Sequence, residues 1–193
     1  MRERLGVFGG TFDPPHIGHL VVAVNVRWDL ELDRVLLVVA NDPWQKSAGR
    51  EVSKADDRLA MCEAAVGDVD GLEVSDLEIR RGGVSYTADT LAELRDEDPE
   101  RELFLIVGSD AAAGIPTWDR VDEVTELATI VVVTRPGVVE GHPPPGWNWL
   151  RVETPRLEVS STDLRARVAD GRPLDYLLTP SVMASIEERG LYR

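Results

Sequence analysis

The stretch LGVFGGTFDPPHIGHLVVAV, residues 5–24, combines a strand-like run, a turn and a helix-like run. LGVF is apolar and of strand length, two glycines follow it, and residues 19–30, HLVVAVNVRWDL, show the apolar spacing of a helix. We expect the helix to begin near His16 or Ile17. His16 and His19, two of the 3 histidines in the chain, lie one helical turn apart at this start. A strand followed by a glycine turn and a helix is the opening unit of many α/β sheets.

The same alternation of strand-like and helix-like segments continues along the chain. Continuous apolar runs recur at RLGVF (4–8), RVLLVVA (34–40), ELFLIVG (102–108) and TIVVVT (129–134). Such runs are typical of parallel strands that are covered on both faces. Helical patterns separate them at SKADDRLAMCEAAVG (53–67), TADTLAELR (87–95) and TWDRVDEVTEL (117–127). We therefore predict a single domain, residues 1–193, with a Rossmann-like, open and mostly parallel sheet, helices on both faces, and ligands at the carboxyl ends of the strands.

The C-terminal third predicts helices rather than strands. In residues 160–171, Ser160 or Ser161 is a natural N-cap and Gly171 a helix stop. In residues 179–190, Thr179 caps the helix, proline follows at its first position, and Gly190 comes just past its end. These patterns give the α/β domain a small helical C-terminal part.

Two further local patterns predict a cap and a loop. Ser53, with Asp56 three residues on, looks like the capping box of a helix. Residues 135–149, RPGVVEGHPPPGWNW, are rich in proline and glycine and are typical of a surface loop. We expect His142, within this loop, to be solvated.

Composition and charge exclude several classes of protein. With 35 Asp and Glu against 21 Lys and Arg, the net charge is -14, and no basic block interrupts it, which argues against nucleic acid or a membrane as partner. No apolar run approaches the roughly 18 residues of a membrane span. The single cysteine, Cys62, lies in a helical pattern and is expected to pack in the core. One cysteine and an N-terminus without the apolar run of a signal peptide favour the cytoplasm.

The opening motif has the chemistry of an anion site, although its glycines and histidines each have an alternative interpretation. Gly9 and Gly10 let an anion approach backbone N–H groups, and the following helix N-terminus adds positive potential, but glycine pairs also serve close packing. His16 and His19 can present both rings to one polyphosphate. The same pair could begin a zinc site, for which carboxylates would have to supply further ligands, or could be structural.

Two motifs together make a family resemblance. GGTFDPPHIGH, residues 9–19, resembles the GxFDPxHxGH signature of the nucleotidyltransferase superfamily, and SSTDLR, residues 160–165, is similar to its triphosphate-clamping element. Members of this superfamily transfer AMP or CMP between phosphates. With 193 residues and no Lys-Met-Ser-Lys-like loop, the chain does not resemble its aminoacyl-tRNA synthetase relatives.

Further segments narrow the resemblance to one group of small adenylyltransferases. Both histidines of the signature are present, whereas bacterial phosphopantetheine adenylyltransferases usually lack the first. VSYTADTL (84–91), LIVGSDAAAGIPTW (105–118), VVVTRPG (131–137) and RGLYR (189–193) resemble segments of bacterial nicotinate-nucleotide adenylyltransferases. DPWQK (42–46) departs from the usual proline-rich version and looks like the actinobacterial form, which leaves the role of Trp44 open.

The resemblance implies an enzyme that moves AMP from ATP, with Mg²⁺, onto nicotinate mononucleotide in NAD biosynthesis. It implies catalytic roles for His16, His19 and Arg165; ATP binding by Gly9, Gly10, Thr11, Phe12, Gly108, Asp110, Arg135, Ser161 and Thr162; and substrate binding by Lys46, Trp44, Tyr86, Thr87 and Trp118. No residue is implied as a protein ligand of a metal. ATP and nicotinate mononucleotide are thus the expected partners, and a homo-oligomer is possible.

Alternatives to these roles remain open at this stage. Asp110 could cap a helix, although the glycine and proline that follow favour a loop; Trp118 could be ordinary core; and Asp13 is expected to shape the turn rather than to act as a base. Arg165 could pair with the acidic surface. The protein could also use nicotinamide mononucleotide or phosphopantetheine as its substrate. It could instead be an inactive nucleotide-binding regulator, although such a regulator would be expected to have lost one of the two motifs.

Overall fold

The computed structural model describes residues 2–43, 52–134 and 143–193. Its strands are β1 (Arg4–Gly10), β2 (Arg34–Val39), β3 (Leu72–Ser75), β4 (Glu102–Gly108), β5 (Ala128–Thr134) and β6 (Trp149–Glu153). Its helices are α1 (Ile17–Asp29), α2 (Ala55–Val66), α3 (Leu77–Arg81), α4 (Thr87–Glu97), α5 (Ser109–Ala112), α6 (Val121–Leu127), α7 (Ser161–Asp170) and α8 (Pro180–Arg189), with a 3₁₀ turn at Ile115–Thr117. None of the described helices is both long and apolar enough to cross a bilayer.

The described strands form one sheet in the order β3-β2-β1-β4-β5-β6, and every neighbouring pair is parallel. From β1 the chain first builds outward through β2 and β3, then returns to add β4, β5 and β6 on the other side. The order therefore reverses between β1 and β4, and ligands of doubly wound sheets bind at the carboxyl ends of strands at this reversal. This arrangement confirms the predicted Rossmann-like fold.

Apolar side chains cover both faces of the sheet. On one face α1, α2, α7 and α8 pack their buried residues, such as Val26, Met61 and Leu164, against the sheet. On the other face α3, α4 and α6 contribute Leu77, Leu91 and Val124. Burial on both faces explains why β1, β2, β4 and β5 read as continuous apolar runs in the sequence.

Several predicted local features are confirmed. Ser160 is the N-cap of α7, its Oγ accepting a hydrogen bond from the N–H of Asp163 at 3.2 Å, and Gly171 ends that helix in the left-handed region at φ 75°. Thr179 caps α8 with proline at its first position, and Gly190 ends it at φ 62°.

Cys62 is fully buried in α2, and burial raises the pKa of its thiol. The prediction that this cysteine packs in the core is therefore confirmed.

Three local predictions are wrong. The C-terminal third contains a strand, β6, and β3 was also missed; both lie at the edges of the sheet and are short and partly polar, so neither forms a continuous apolar run. Ser53 does not cap α2, which begins at Ala55 after Lys54. The N–H of Ser53 instead donates to Asp13 at 3.5 Å, and its carbonyl accepts from Arg58 at 2.9 Å.

Candidate active site

Two cavities lie at the carboxyl end of β1. The histidine cavity, about 190 Å³, is lined by residues that include Phe8, His16, His19, Gly108, Thr134 and Leu157. The α4 cavity, about 280 Å³, is lined by residues that include Gly9, Thr11, Glu78, Tyr86, Thr87 and Trp118. Because successive residues of a strand point to opposite faces, Phe8 and Gly9 place the two cavities on opposite sides of β1. Gly9 and Gly10 form the strand end between them.

The two histidines of the signature stack at the start of α1. Their ring centroids are 3.7 Å apart, with an angle of 23° between the planes. The backbone N–H of His16 donates to Nδ1 of His19 at 3.1 Å. A ring nitrogen that accepts a hydrogen bond carries no proton, so the neutral His19 ring holds its proton on Nε2. The N–H donor of the His19 ring is therefore Nε2, whereas Nδ1 accepts from the backbone.

His16 is the more buried of the pair, with 9% of its surface exposed. Burial lowers the pKa of its imidazole from 6.5 to about 4, so the ring is neutral at pH 7. Its Nδ1 atom is buried and makes no hydrogen bond within the described part of the chain. A Cβ atom on Gly18 would lie 3.0 Å from this nitrogen, which explains the glycine between the two histidines.

The glycine turn is held by aromatic packing. Phe12 lies at φ 50°, is 3% exposed, and meets the His19 ring edge-on with centroids 5.0 Å apart. A Cβ atom on Gly10 would lie 2.7 Å from the Phe12 ring, whereas a Cβ on Gly9 would meet no atom within 4 Å. Gly10 therefore serves close packing, and Gly9 leaves open space beside the α4 cavity. Phe12, expected among the ATP-binding residues, packs in the core against His19, and its contact with ATP stays a prediction.

The SSTDLR segment lies directly against the signature loop. Ser161 Oγ donates to the carbonyl of Pro14 at 2.9 Å. Arg165 is half-buried; one of its Nη atoms donates to the carbonyl of Asp13 at 2.6 Å and the other to Thr162 Oγ1 at 3.2 Å. The start of α7 is thus fixed on the loop that carries the histidines, although the two motifs are more than 140 residues apart in the sequence.

The α4 cavity brings together the predicted substrate-binding residues that the structure describes. Thr87 is the first residue of α4 and Tyr86 occupies the cap position, where no side chain caps the helix. The first-turn N–H groups of a helix have no partner within the helix, so an uncapped start can bind an anion. Trp118 is half-buried, borders the cavity and packs on the core, and its role in substrate binding stays a prediction.

Two acidic side chains also face the α4 cavity. Glu78 is 7% exposed, and its Oε1 accepts a hydrogen bond from Thr90 at 2.6 Å. Asp119 lies at the rim and is exposed. No basic side chain lines this cavity within the described residues. The charged side chains of the described wall are therefore acidic, and the N-terminus of α4 is its source of positive potential.

Sequence reasoning missed Arg58, a guanidinium that is only 1% exposed. It donates to three backbone carbonyls, those of Thr11 at 2.8 Å, Asn41 at 3.1 Å and Ser53 at 2.9 Å. Burial lowers the pKa of this guanidinium, and the Asp13 carboxylate opposes that change. Arg58 thus ties the carboxyl ends of β1 and β2 to the start of α2. In the sequence it is one charged residue in an acidic helix, so only its burial identifies it.

The apolar wall of the histidine cavity was also missed. Leu157 and Val159, which follow β6, face Phe8 and Val22 across it, and the buried hydroxyl residue Thr154 completes the wall. These residues come from a segment with no recognisable motif. They give the cavity apolar sides beside the polar histidines.

Some of the predicted site residues cannot be placed. Trp44, Lys46, Arg135 and the loop residue His142 lie outside the described residues, as does the side chain of Asp110. The backbone of residues 109–112 forms one helical turn, α5, where we expected a loop. Gly108, just before it, borders the histidine cavity. No group of three potential metal ligands occurs within the described ranges.

Comparison with known proteins identifies the family that has this fold and these site motifs. A model of the cytidylyltransferase-like family matches residues 7–167, which include the signature loop, the second half of β1, strands β2 to β6 and the start of α7, so fold and site define a nucleotidyltransferase of this class. The chain is 46% identical to a probable nicotinate-nucleotide adenylyltransferase of Saccharopolyspora erythraea, over 100% of this chain and 91% of that one. It is 47% identical to the protein of the same name in Streptomyces coelicolor, over 96% of this chain and 98% of that one. The chain belongs to the nicotinate-nucleotide adenylyltransferase family, which confirms the resemblance seen in the sequence.

A solved structure agrees with the fold over the whole length. Plasmodium falciparum nicotinic acid mononucleotide adenylyltransferase, complexed with NaAD, superimposes with a TM-score of 0.81 at 17% identity, covering 99% of this chain and 98% of that one. At this low identity the likeness concerns the fold alone.

Proposed function

We propose that this protein transfers AMP from ATP to nicotinate mononucleotide, releasing pyrophosphate and nicotinate adenine dinucleotide. The observation that carries the proposal is the pair of cavities on opposite sides of the carboxyl end of β1, one lined by the Gly9–Gly10 strand end and the other by the stacked histidines. A transferase with two nucleotide substrates needs two sites whose reacting phosphates can meet. The names and sequence identities of the relatives support the same reaction.

The histidine cavity is proposed as the ATP site. Its apolar walls suit a purine ring, and His19 and the N-terminus of α1 offer donors and positive potential to phosphates. In this assignment Ser161, Thr162 and Arg165 hold the departing pyrophosphate. Ser161 now donates its only O–H to the Pro14 carbonyl, so its hydroxyl would turn away from that carbonyl to donate to the pyrophosphate, while the Arg165 guanidinium would supply charge-assisted N–H contacts. Gly108, Asp110 and Arg135 are proposed to contact the adenosine.

The α4 cavity is proposed as the site of nicotinate mononucleotide. The uncapped start of α4 at Thr87 can accept the nicotinate carboxylate, and Trp118 offers an aromatic face to the ring. Glu78 and Asp119 would repel that carboxylate but attract the positive pyridinium nitrogen, so the charge pattern favours a ring whose carboxylate points to α4. Tyr86 would contact the ring, and Trp44 and Lys46 the rest of the mononucleotide, with the lysine at its phosphate.

The proposed reaction needs no protein nucleophile. A phosphate oxygen of the mononucleotide attacks the α-phosphorus of ATP, one P–O bond forms, and the bond from that phosphorus to the β-phosphate bridging oxygen breaks as pyrophosphate leaves. His19 donates through Nε2 to the negative charge that develops on the phosphoryl oxygens. His16 stays neutral and holds the geometry. Positioning and electrostatic stabilisation therefore supply the catalysis.

We propose that Mg²⁺ enters with ATP and is not held by a protein cage. The described residues provide no cluster of three ligands, and Mg²⁺ commonly binds through substrate phosphates with few protein carboxylates. The ion would reduce repulsion between two anionic substrates in a protein whose net charge is -14. We place the reaction in the cytoplasm, which the single, buried and free cysteine supports.

The direct test measures pyrophosphate release from a folded sample with ATP or CTP, Mg²⁺ and a panel of acceptors. The panel contains nicotinate mononucleotide, nicotinamide mononucleotide and phosphopantetheine. Release with ATP and nicotinate mononucleotide is the expected result. The proposal would be refuted if phosphopantetheine were the only acceptor that supports pyrophosphate release, or if none of the acceptors supported it.

A further inference from the structure

A buried carboxylate lies at the centre of the signature loop and takes no part in the proposed chemistry. Asp13 is 1% exposed and precedes His16 by three residues. Its Oδ1 accepts a hydrogen bond from the hydroxyl of Tyr192 at 2.7 Å, and its Oδ2 from the backbone N–H of Ser53 at 3.5 Å. Tyr192 comes after α8, at the far end of the chain from this loop.

The loop from Thr11 to Pro14 is held along its length by side chains from distant segments. Arg58 binds the carbonyl of Thr11, Arg165 that of Asp13, and Ser161 that of Pro14, as described above. These three contacts restrain the backbone. Tyr192 differs from them because it binds the Asp13 side chain and lines neither cavity.

We propose that Tyr192 is a positioning residue for AMP transfer, whose hydroxyl fixes Asp13 and thereby sets the orientation of the histidine pair. The inference rests on the function proposed above. The hydroxyl remains a donor at all working pH values, since burial, followed by the contact with Asp13, raises the pKa of Tyr192. His16 is the N-cap of α1 and lies two residues after Pro14, so a shift of Asp13 reaches the stacked rings through a short segment of buried residues.

The hydroxyl can be removed while the packing is kept. The Tyr192 ring packs against the core cluster of α1, α2 and α8, and a phenylalanine retains this apolar contact. A purely structural tyrosine would affect the melting temperature and leave the activity of the folded fraction intact. A positioning residue would instead change kcat, because a catalytic group displaced by about 1 Å slows the reaction without unfolding the protein.

The test compares Y192F with Y176F, a matched removal of a hydroxyl from a tyrosine that is 94% exposed. We expect Y192F to lower kcat about 10-fold, the scale of one lost hydrogen bond to a charged group, with the KM for nicotinate mononucleotide unchanged. Y176F should match the wild type. Hydrogen–deuterium exchange should be faster in residues 11–17 of Y192F and unchanged in the rest of the sheet.

The two readouts separate this proposal from the proposed function. Normal kcat in Y192F, or unchanged exchange in residues 11–17, would overturn the positioning role, as would a loss of kcat that Y176F reproduces. If the wild type shows no transfer to any acceptor, the proposed function is wrong, and the exchange data alone then decide whether Tyr192 fixes the loop.

Discussion

The burial of His16 makes the stability of the protein depend on pH in a defined window. Folding lowers the pKa of this imidazole from 6.5 to about 4, so between these values the unfolded chain binds a proton that the folded chain does not. The unfolded state thus gains protons as the pH falls, and stability falls with it. The contribution is fully present above pH 6.5 and is lost as the pH decreases through 4.

The size of this effect follows from the shift. The difference of 6.5 and 4 is 2.5 pKa units. At about 1.4 kcal/mol per unit, His16 should remove about 3 kcal/mol from the free energy of unfolding between neutral pH and pH 4. His16→Asn keeps a polar side chain of similar reach but cannot titrate. The variant should therefore lose less stability on acidification than the wild type, by about this amount.

Urea denaturation of both proteins at half-unit steps from pH 7.5 to pH 4 measures the difference. Carboxylates and the other histidines titrate in both proteins, so they cancel when the two curves are subtracted. NMR titration of the His16 ring gives the folded pKa directly. Parallel stability curves, or a folded pKa near 6.5, would refute the reasoning from burial.

Three further predictions concern the site itself. His19→Ala should lower kcat roughly 10²- to 10³-fold with little change in melting temperature, because His19 acts on charge that develops in the transition state; a large loss of stability with near-normal turnover would contradict this. Nicotinate mononucleotide should be preferred over nicotinamide mononucleotide by about 10- to 150-fold in kcat/KM at saturating ATP. This ratio corresponds to about 1.5 to 3 kcal/mol for one charge-assisted contact of the carboxylate at the start of α4. Equal values of kcat/KM would mean that the α4 cavity is misassigned. Gly9→Ala should leave the melting temperature unchanged, since its Cβ meets no protein atom within 4 Å, and should raise the KM for the mononucleotide, since that Cβ would occupy space beside the α4 cavity. Gly10→Ala should lower the melting temperature, since its Cβ would lie 2.7 Å from the Phe12 ring. Equal melting temperatures for the two variants would refute the distinction.

The sequence predicted the centre of the fold well and its edges poorly, for a physical reason. β1, β2, β4 and β5 are covered on both faces, so their central positions are apolar. β3 and β6 form the two edges of the described sheet, with one exposed residue in β3 and three in β6, and their sequences LEVS and WLRVE carry little hydrophobic signal. Helix ends were predictable where a cap acts locally, as at Ser160, and not where a distant residue intervenes, as at Ser53.

The same distinction applies to the site. The histidine pair and the SSTDLR segment are local patterns, and the structure brings them together. Arg58 and Tyr192 act through contacts across 47 and 179 residues of sequence, so no local pattern marks them. The acidic wall made by Glu78 and Asp119 was unpredictable for the same reason, because α3 and the segment before α6 meet only in the folded chain.

Because the two cavities lie on opposite faces of β1, a single inhibitor that fills both must cross the strand's carboxyl end. There Gly9 presents no side chain, so a slender linker can pass, but a bulky or branched one would strike the backbone. Each half of such a compound could then be optimised against its own wall, since α1 borders only the histidine cavity and α3 and α4 border only the α4 cavity. A mutation that places a side chain at position 9 would obstruct both the linker and the phosphates of the natural substrates. Resistance to the inhibitor by this route would therefore also reduce activity.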